Sequence, residues 1–218
     1  MIVRHLLFFC TLIFIQINSI YAQVKDTLIF KEYNDDGDIA LFYVQEGNKS
    51  WPMVFKAKNE PIKDLLRGDI VEVVWKKEKL RNMDNDLMDI NQVLLDYSKL
   101  KDGKVHALRK NHPNLLQYDK SSELKLTDSY LAYLTAYLEY YIAYSTQPLI
   151  KEILKEKGQA KLIYQVNEIT FKNRPYMVIS LETNHENKQS VIQWLYIDNE
   201  NRKLYEYDIF NEKLIEFY

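Results

Sequence analysis

Ser190-Val-Ile-Gln-Trp-Leu-Tyr-Ile-Asp198, Asn199-Glu-Asn-Arg202 and Lys203-Leu-Tyr-Glu-Tyr-Asp-Ile209 follow one another as an apolar run, a polar turn and a second aromatic run. Aromatic and β-branched residues on either side of an Asn-rich turn read as a β-hairpin. A two-residue or a four-residue loop gives the same register, in which facing residue numbers add to 401. Trp194 then faces Tyr207, Tyr196 faces Tyr205 and Asp198 meets Lys203, while the other face pairs Leu195 with Glu206 and Ile197 with Leu204. Each aromatic pair contributes on the order of 0.2–1 kcal/mol. Burying Glu206 is costly, so the aromatic face is expected to be the one that packs under the covering layer. The alternative is an open aromatic face that binds a sugar or a partner protein, as large amphipathic rings do at interfaces. Trp194, Tyr196, Tyr205 and Tyr207 are therefore the candidate binding residues.

Around this hairpin the pattern predicts further strands at 161–171, 176–183 and 214–217, an antiparallel meander. Upstream lies a helical pattern. Thr127 is a good N-cap with Asp128 in the first turn, and Leu131, Leu134, Leu138 and Ile142 recur at steps of three and four. Tyr130, Tyr133, Tyr137, Tyr140, Tyr141 and Tyr144 form a second stripe beside them. Gln147-Pro148 opens a second helix over 149–157, closed by Gly158. A helix pair on one face of a meander is an α+β layer, analogous in arrangement to cystatin-like and NTF2-like sheets.

The N-terminal half alternates between strand-like runs and polar turns. Runs at 27–33 and 39–45 flank Asn34-Asp-Asp-Gly-Asp38, a hairpin signal. A third run covers 51–57, and Pro61 with Gly68 brackets a short helix. Strong β-formers follow at 69–75, and a fifth strand is expected at 90–97, although Leu87, Ile90, Leu94 and Tyr97 also fit a helix over 86–100. Three strands, a short helix and two strands predict a small five-stranded OB- or SH3-like β-barrel. The resulting division is a signal peptide at 1–22, the barrel at 23–101, a connector at 102–126 and the α+β domain at 127–218.

Arg4 and His5, the apolar stretch 6–17 and Ala22 follow the order of a secretory signal peptide cleaved before Gln23. The stretch is shorter than the ~20 residues that span a bilayer. Cys10, the single cysteine of the chain, lies inside this segment, so the mature protein is held together by packing without disulfides. These features point to a periplasmic or secreted protein.

Composition narrows the chemistry. The 218 residues carry 29 Lys plus Arg against 31 Asp plus Glu, a net charge of −2, which gives no global drive toward nucleic acid. With 5 Gly and 5 Pro, no Walker or G-x-G-x-x-G phosphate loop is present, and no cofactor is implied. No G-x-S-x-G elbow occurs, and the mature histidines are His106, His112 and His185. His106 and His112, six apart, do not share a face for zinc. The acidic groups Asp35, Asp36, Asp38 and Asp84, Asp86, Asp89 lack the acidic twelfth ligand of an EF-hand and read as solvated loops. Lys99, Lys101, Lys104, Arg109 and Lys110 make a basic patch in and beside the connector, suited to an anionic polymer or an acidic protein, or else a solvated linker. The expectation is an exported, non-enzymatic binding protein of inhibitor, immunity or assembly-accessory type that contacts a protein or glycan. The alternative is a secreted carboxylate-dependent hydrolase.

Overall fold

The computed structural model describes residues 22–58, 64–81, 88–120, 124–155, 161–185 and 188–218, with the side chains of 184–189 outside that description. Apart from Ala22, the expected export segment lies outside the described residues. The chain divides into two compact units, Met1–Gly103 and Lys104–Tyr218.

The first unit is a closed β-barrel of β1 (Val24–Asn34), β2 (Leu41–Glu46), β3 (Lys49–Phe55), β4 (Ile70–Arg81) and β5 (Met88–Lys101), in the order β1-β2-β3-β5-β4. β3 and β5 run parallel and the other neighbouring strands around the barrel run antiparallel, the arrangement of the OB-fold rather than of an SH3-like barrel. Leu28, Phe30, Phe42, Val44, Met53, Val71, Val73 and Leu94 fill it. Each such side chain stabilises by about 1.5–3 kcal/mol when fully buried. Closure rules out the helical reading of 86–100 for its described part, because β5 pairs with β4 from Met88 to Lys101. The short helix expected between Pro61 and Gly68 is not borne out in its described part. Residues 64–68 form a bend and a turn, and 59–63 lie outside the described residues. Gly68 does adopt a left-handed φ of 96°, but its service is local. A Cβ at Gly103 would come within 2.5 Å of the Gly68 carbonyl, so these two glycines let the start of β4 approach the end of β5. Buried Asp69 ties them, accepting from Gly103 N at 2.7 Å and from Leu66 N at 3.0 Å.

The second unit opens with α1 (Lys104–Asn111) and β6 (Leu116–Tyr118), then α2 (Asp128–Tyr144), α3 (Pro148–Ile153) and the strands β7 (Leu162–Phe171), β8 (Arg174–His185), β9 (Lys188–Asp198), β10 (Lys203–Asp208) and β11 (Lys213–Phe217). The sheet order is β11-β10-β9-β8-β7-β6, the expected meander with one parallel strand added at its edge. That addition corrects the connector. Residues 104–118 are not a solvated linker, because Val105 and Leu108, three apart, are buried on one side of α1, and β6 pairs with β7. Thr127 caps α2 as expected, its side chain accepting from Tyr130 N at 3.2 Å. Helix residues Leu134, Tyr137, Leu138 and Tyr141 share one core with Leu162, Ile179, Leu181, Leu195, Ile197 and Leu204. Among the described residues, no helix is long and apolar enough to cross a membrane.

Candidate functional site

The hairpin register is the expected one: Asp198 pairs with Lys203, Ile197 with Leu204, Tyr196 with Tyr205 and Leu195 with Glu206. Its faces are the reverse of those expected. Leu195, Ile197 and Leu204 lie under the helices, so Trp194, Tyr196, Tyr205 and Tyr207 occupy the outer face. Glu206 on the helix side is tolerated because the Tyr141 hydroxyl donates to its Oε1 at 2.7 Å. A bond to an ionised acceptor is about twice as strong as a neutral one and offsets part of the desolvation that argued against burying this carboxylate. Burial pushes the Tyr141 hydroxyl well above the usual tyrosine range, so it remains a donor.

On the outer face the rings meet diagonally across strands. Tyr196 packs against Tyr207 at 5.4 Å between ring centroids and against Tyr176 at 5.7 Å, and Tyr205 meets Tyr176 at 6.2 Å. Phe171, at the end of β7, reaches over to Tyr196 at 5.8 Å and Tyr207 at 6.1 Å. Tyr196 is 6% exposed and forms the floor; Phe171, Tyr176, Tyr205, Tyr207 and Trp194 are half-buried and keep ring area open. Burial pushes the hydroxyls of Tyr196 and Tyr205 upward, which keeps them neutral donors at physiological pH.

At one end of this face stand Lys172 and Arg174, the latter paired with both Asp198 and Glu200. Lys172 Nζ sits 5.1 Å from the Phe171 ring centroid, and Arg174 Nη2 lies 2.8 Å from Oδ2 of buried Asp198. The other Asp198 oxygen accepts from Glu200 N and Asn201 N, which fixes the β9–β10 turn. Further along the sheet, Val178, Ser180 and Glu182 of β8 are buried, Ser180 Oγ donating to Glu182 Oε1 at 2.7 Å. At the opposite end, past the last paired residues of β9 and β10, lies a pocket of about 420 Å³ whose lining takes in Gln193 and Glu206 of the helix side, Trp194 and Tyr207 of the outer side, Phe210 of the following turn and Gln147. Gln193 Nε2 donates to the carbonyls of Trp194 and Tyr207, at 3.0 and 3.1 Å. Phe210, at the tip of the β10–β11 turn, is 96% exposed. The turn is built on Asp208, which Asn211 through its side chain and backbone, and Phe210 through its backbone, hold below the usual carboxylate range.

The remaining sequence candidates are not gathered into this site. Of the basic patch, Lys99 pairs with Asp102 at 2.8 Å, Arg109 makes a two-pronged pair with Glu139 at 2.9 and 2.7 Å, and Lys104 Nζ lies 4.7 Å from the centre of the Tyr144 ring; Lys101 and Lys110 are exposed. His106 is half-buried on α1, His112 is buried just after it, and the His185 side chain lies outside the described residues. Asp35, Asp36 and Asp38 are exposed, as loop solvation requires; Asp89 is exposed but lies on β5, not in a loop, and Asp84 and Asp86 lie outside the described residues.

Phe171, Tyr176, Phe210 and Glu206 are the site residues that sequence reading did not select. A signal existed for Tyr176. The β7–β8 pairs Phe171 with Arg174 and Ile169 with Tyr176 follow from a two-residue turn at Lys172-Asn173, which puts Tyr176 on the outer side.

No protein-family model and no curated protein sequence matches the chain. Among solved structures, it is similar to a protein assigned as an aspartyl-tRNA synthetase from Leishmania major Friedlin, at 11% identity and a TM-score of 0.29, over 77% of this chain and 45% of that one. An aspartyl tRNA synthetase from Entamoeba histolytica gives 9% identity and a TM-score of 0.29, over 77% of this chain and 48% of that one. The chain thus spans less than half the length of either structure, and a likeness this distant carries no argument about function.

Proposed function

We propose that the protein is an exported, non-enzymatic binding protein of the cell envelope that contacts a protein or glycan partner through the outer aromatic face of its second sheet. The observation that supports this reading is the ring array of Phe171, Tyr176, Tyr196, Tyr205 and Tyr207, which lies on the face of the sheet opposite the helices. Rigid rings with open area and neutral hydroxyls offer large contact at low conformational-entropy cost, the property of interface hot spots. The nearby carboxylates favour binding over hydrolysis. Glu206 and Asp208 are engaged as acceptors by Tyr141 and by the β10–β11 turn, rather than facing one another across a substrate gap.

The test uses the chain starting at Gln23 as bait for envelope extract and for immobilised cell-surface glycans. A specific partner should be retained by the wild-type chain and weakened at least tenfold by Tyr176→Ala combined with Tyr205→Ala, with folding intact by near-UV circular dichroism. Undiminished retention by the folded variant defeats the reading. Export itself is supported by the order of residues 1–22. Intact-mass analysis of the product should show Gln23 as its first residue, and a membrane-retained chain that keeps Met1 would contradict it.

A further inference from the structure

The β4–β5 pair is longer than the barrel it closes. β1 accompanies β4 as far as Trp75, which pairs with Val24, and β3 accompanies β5 at Val93 and Leu94. Beyond those positions, among the described residues, 77–81 and 88–92 pair with each other alone, in unbroken register, as a two-stranded ribbon. Facing residues share a side of such a ribbon, so Lys77 with Gln92, Lys79 with Ile90 and Arg81 with Met88 make one face. It continues the side on which Leu94 and Trp75 belong to the barrel core. The other face carries the acids. There Glu78 pairs with Lys56 and Lys76, both at 2.9 Å, and Asp89 is exposed.

The first face therefore has three cations and no acid. Among the described residues, no acidic side chain pairs with Lys77 or Lys79. Beside these cations Ile90 is 66% exposed and Met88 58%, an unusual state for aliphatic side chains grouped on one face. Aliphatic groups and long basic stems side by side suit the boundary of a membrane, where the former enter the acyl region and the latter reach the headgroups. We propose that this ribbon face docks on the anionic surface of a lipid bilayer, with Ile90 and Met88 inserted and Lys77, Lys79 and Arg81 at the lipid phosphates. A nucleic acid would call for ring platforms on which bases stack, and none of the six residues is aromatic. Near an anionic leaflet each basic residue strengthens binding by about fivefold, and salt screens the effect. The surface belongs to the first unit and is independent of the aromatic face of the second.

The test is co-sedimentation of the chain from Gln23, which holds both cores and lacks the apolar stretch 6–17, with vesicles of phosphatidylcholine alone or mixed in equal parts with phosphatidylglycerol. Binding should be at least tenfold tighter to the mixed vesicles and should weaken as salt is raised. Lys77→Gln combined with Lys79→Gln should weaken it at least tenfold, and Ile90→Ser at least threefold, with folding intact by near-UV circular dichroism because all three side chains are exposed. Lys49→Gln combined with Lys151→Gln removes the same charge from exposed positions off the ribbon and should change binding less than twofold. The chain from Gln23 has no cysteine, so a polarity-sensitive dye on Ile90→Cys reports a single position. Its emission should shift to the blue on the mixed vesicles, and a dye on Lys151→Cys should not shift. Equal binding to neutral vesicles, an unaffected lysine or Ile90 variant, an equal loss from the control pair, or no shift at Ile90 overturns the inference. So does retention of heparin or an oligothymidylate by a chain that leaves the vesicles alone, which would make the ribbon a site for an anionic polymer.

Discussion

Lys31 shows how a single residue records the packing around it. It sits on β1 where the ladder with β2 shifts register between Phe30 and Glu32, next to the buried ion pair of Arg67 with Glu32. Burial, and secondarily the Arg67 charge, bring its ammonium down to about 7. Below that pH the folded and unfolded chains both hold the proton, and the group makes no contribution to pH dependence. Between about 7 and about 10.4 the unfolded chain binds more protons than the folded one, so stability rises with pH across that window. Lys31→Met should remove this rise. Urea unfolding of both proteins from pH 6 to pH 10 checks it, since the wild-type advantage should grow above pH 7; a difference that stays flat contradicts the assignment. Arg67 and Glu32 make a second case, because Arg67→Leu takes from the buried Glu32 carboxylate the guanidinium it pairs with. The loss should be about 3–5 kcal/mol, and Glu32→Leu in the same chain should recover most of it. Recovery is read from the same unfolding curves, and a double variant as unstable as Arg67→Leu would argue against a buried pair.

At the scale of elements, the β7–β8 turn carries Phe171 across the sheet. Lys172 and Asn173 both adopt left-handed conformations, φ 50° and 65°, which a two-residue hairpin turn with matching twist requires. Lysine is an uncommon residue for that backbone. Lys172→Asn should therefore stabilise by about 0.5 kcal/mol, and β-branched Lys172→Val should destabilise by about 1–2 kcal/mol. Thermal unfolding distinguishes this from a neutral surface site, at which both changes would be silent. The elements legible in the sequence are those with strong local signals. Thr127 and the leucine spacing mark α2, and the alternation on either side of Asn199–Arg202 marks β9 and β10. By contrast, α1 presents just Val105 and Leu108 to the core within eight residues, too little apolar repetition to stand out from a linker. β6 has three residues and exists because β7 offers it an edge, a tertiary reason that no local pattern carries. The face of the hairpin that is buried is illegible locally for a similar reason. The partner of Glu206 is a hydroxyl on α2, 65 positions away in sequence, in a stripe whose tyrosines read as packing alone.

For the whole molecule, the division between Gly103 and Lys104 makes a prediction about fragments. A piece covering 23–103 keeps Gly103 and its bond to Asp69, and 104–218 keeps α1 and β6 with the sheet. Each should unfold cooperatively. A piece covering 122–218 lacks Leu108 and Leu115, both part of the second core, and should be markedly less stable than 104–218. Equal stability of the two longer and shorter pieces would return residues 104–118 to the role of a linker. The proposed function depends on which side of the second sheet is core. The aliphatic side, Leu195, Ile197 and Leu204, lies with the helices, and the rings lie on the opposite side, Tyr196 buried and the others half-buried. Urea unfolding of Leu195→Ala beside Tyr207→Ala tests that orientation directly. Leu195→Ala should cost about 2–5 kcal/mol, from lost burial and a cavity, and Tyr207→Ala, at a half-buried site, under about 1.5 kcal/mol. The reverse order, with Tyr207→Ala the more damaging and Leu195→Ala near wild type, would contradict it.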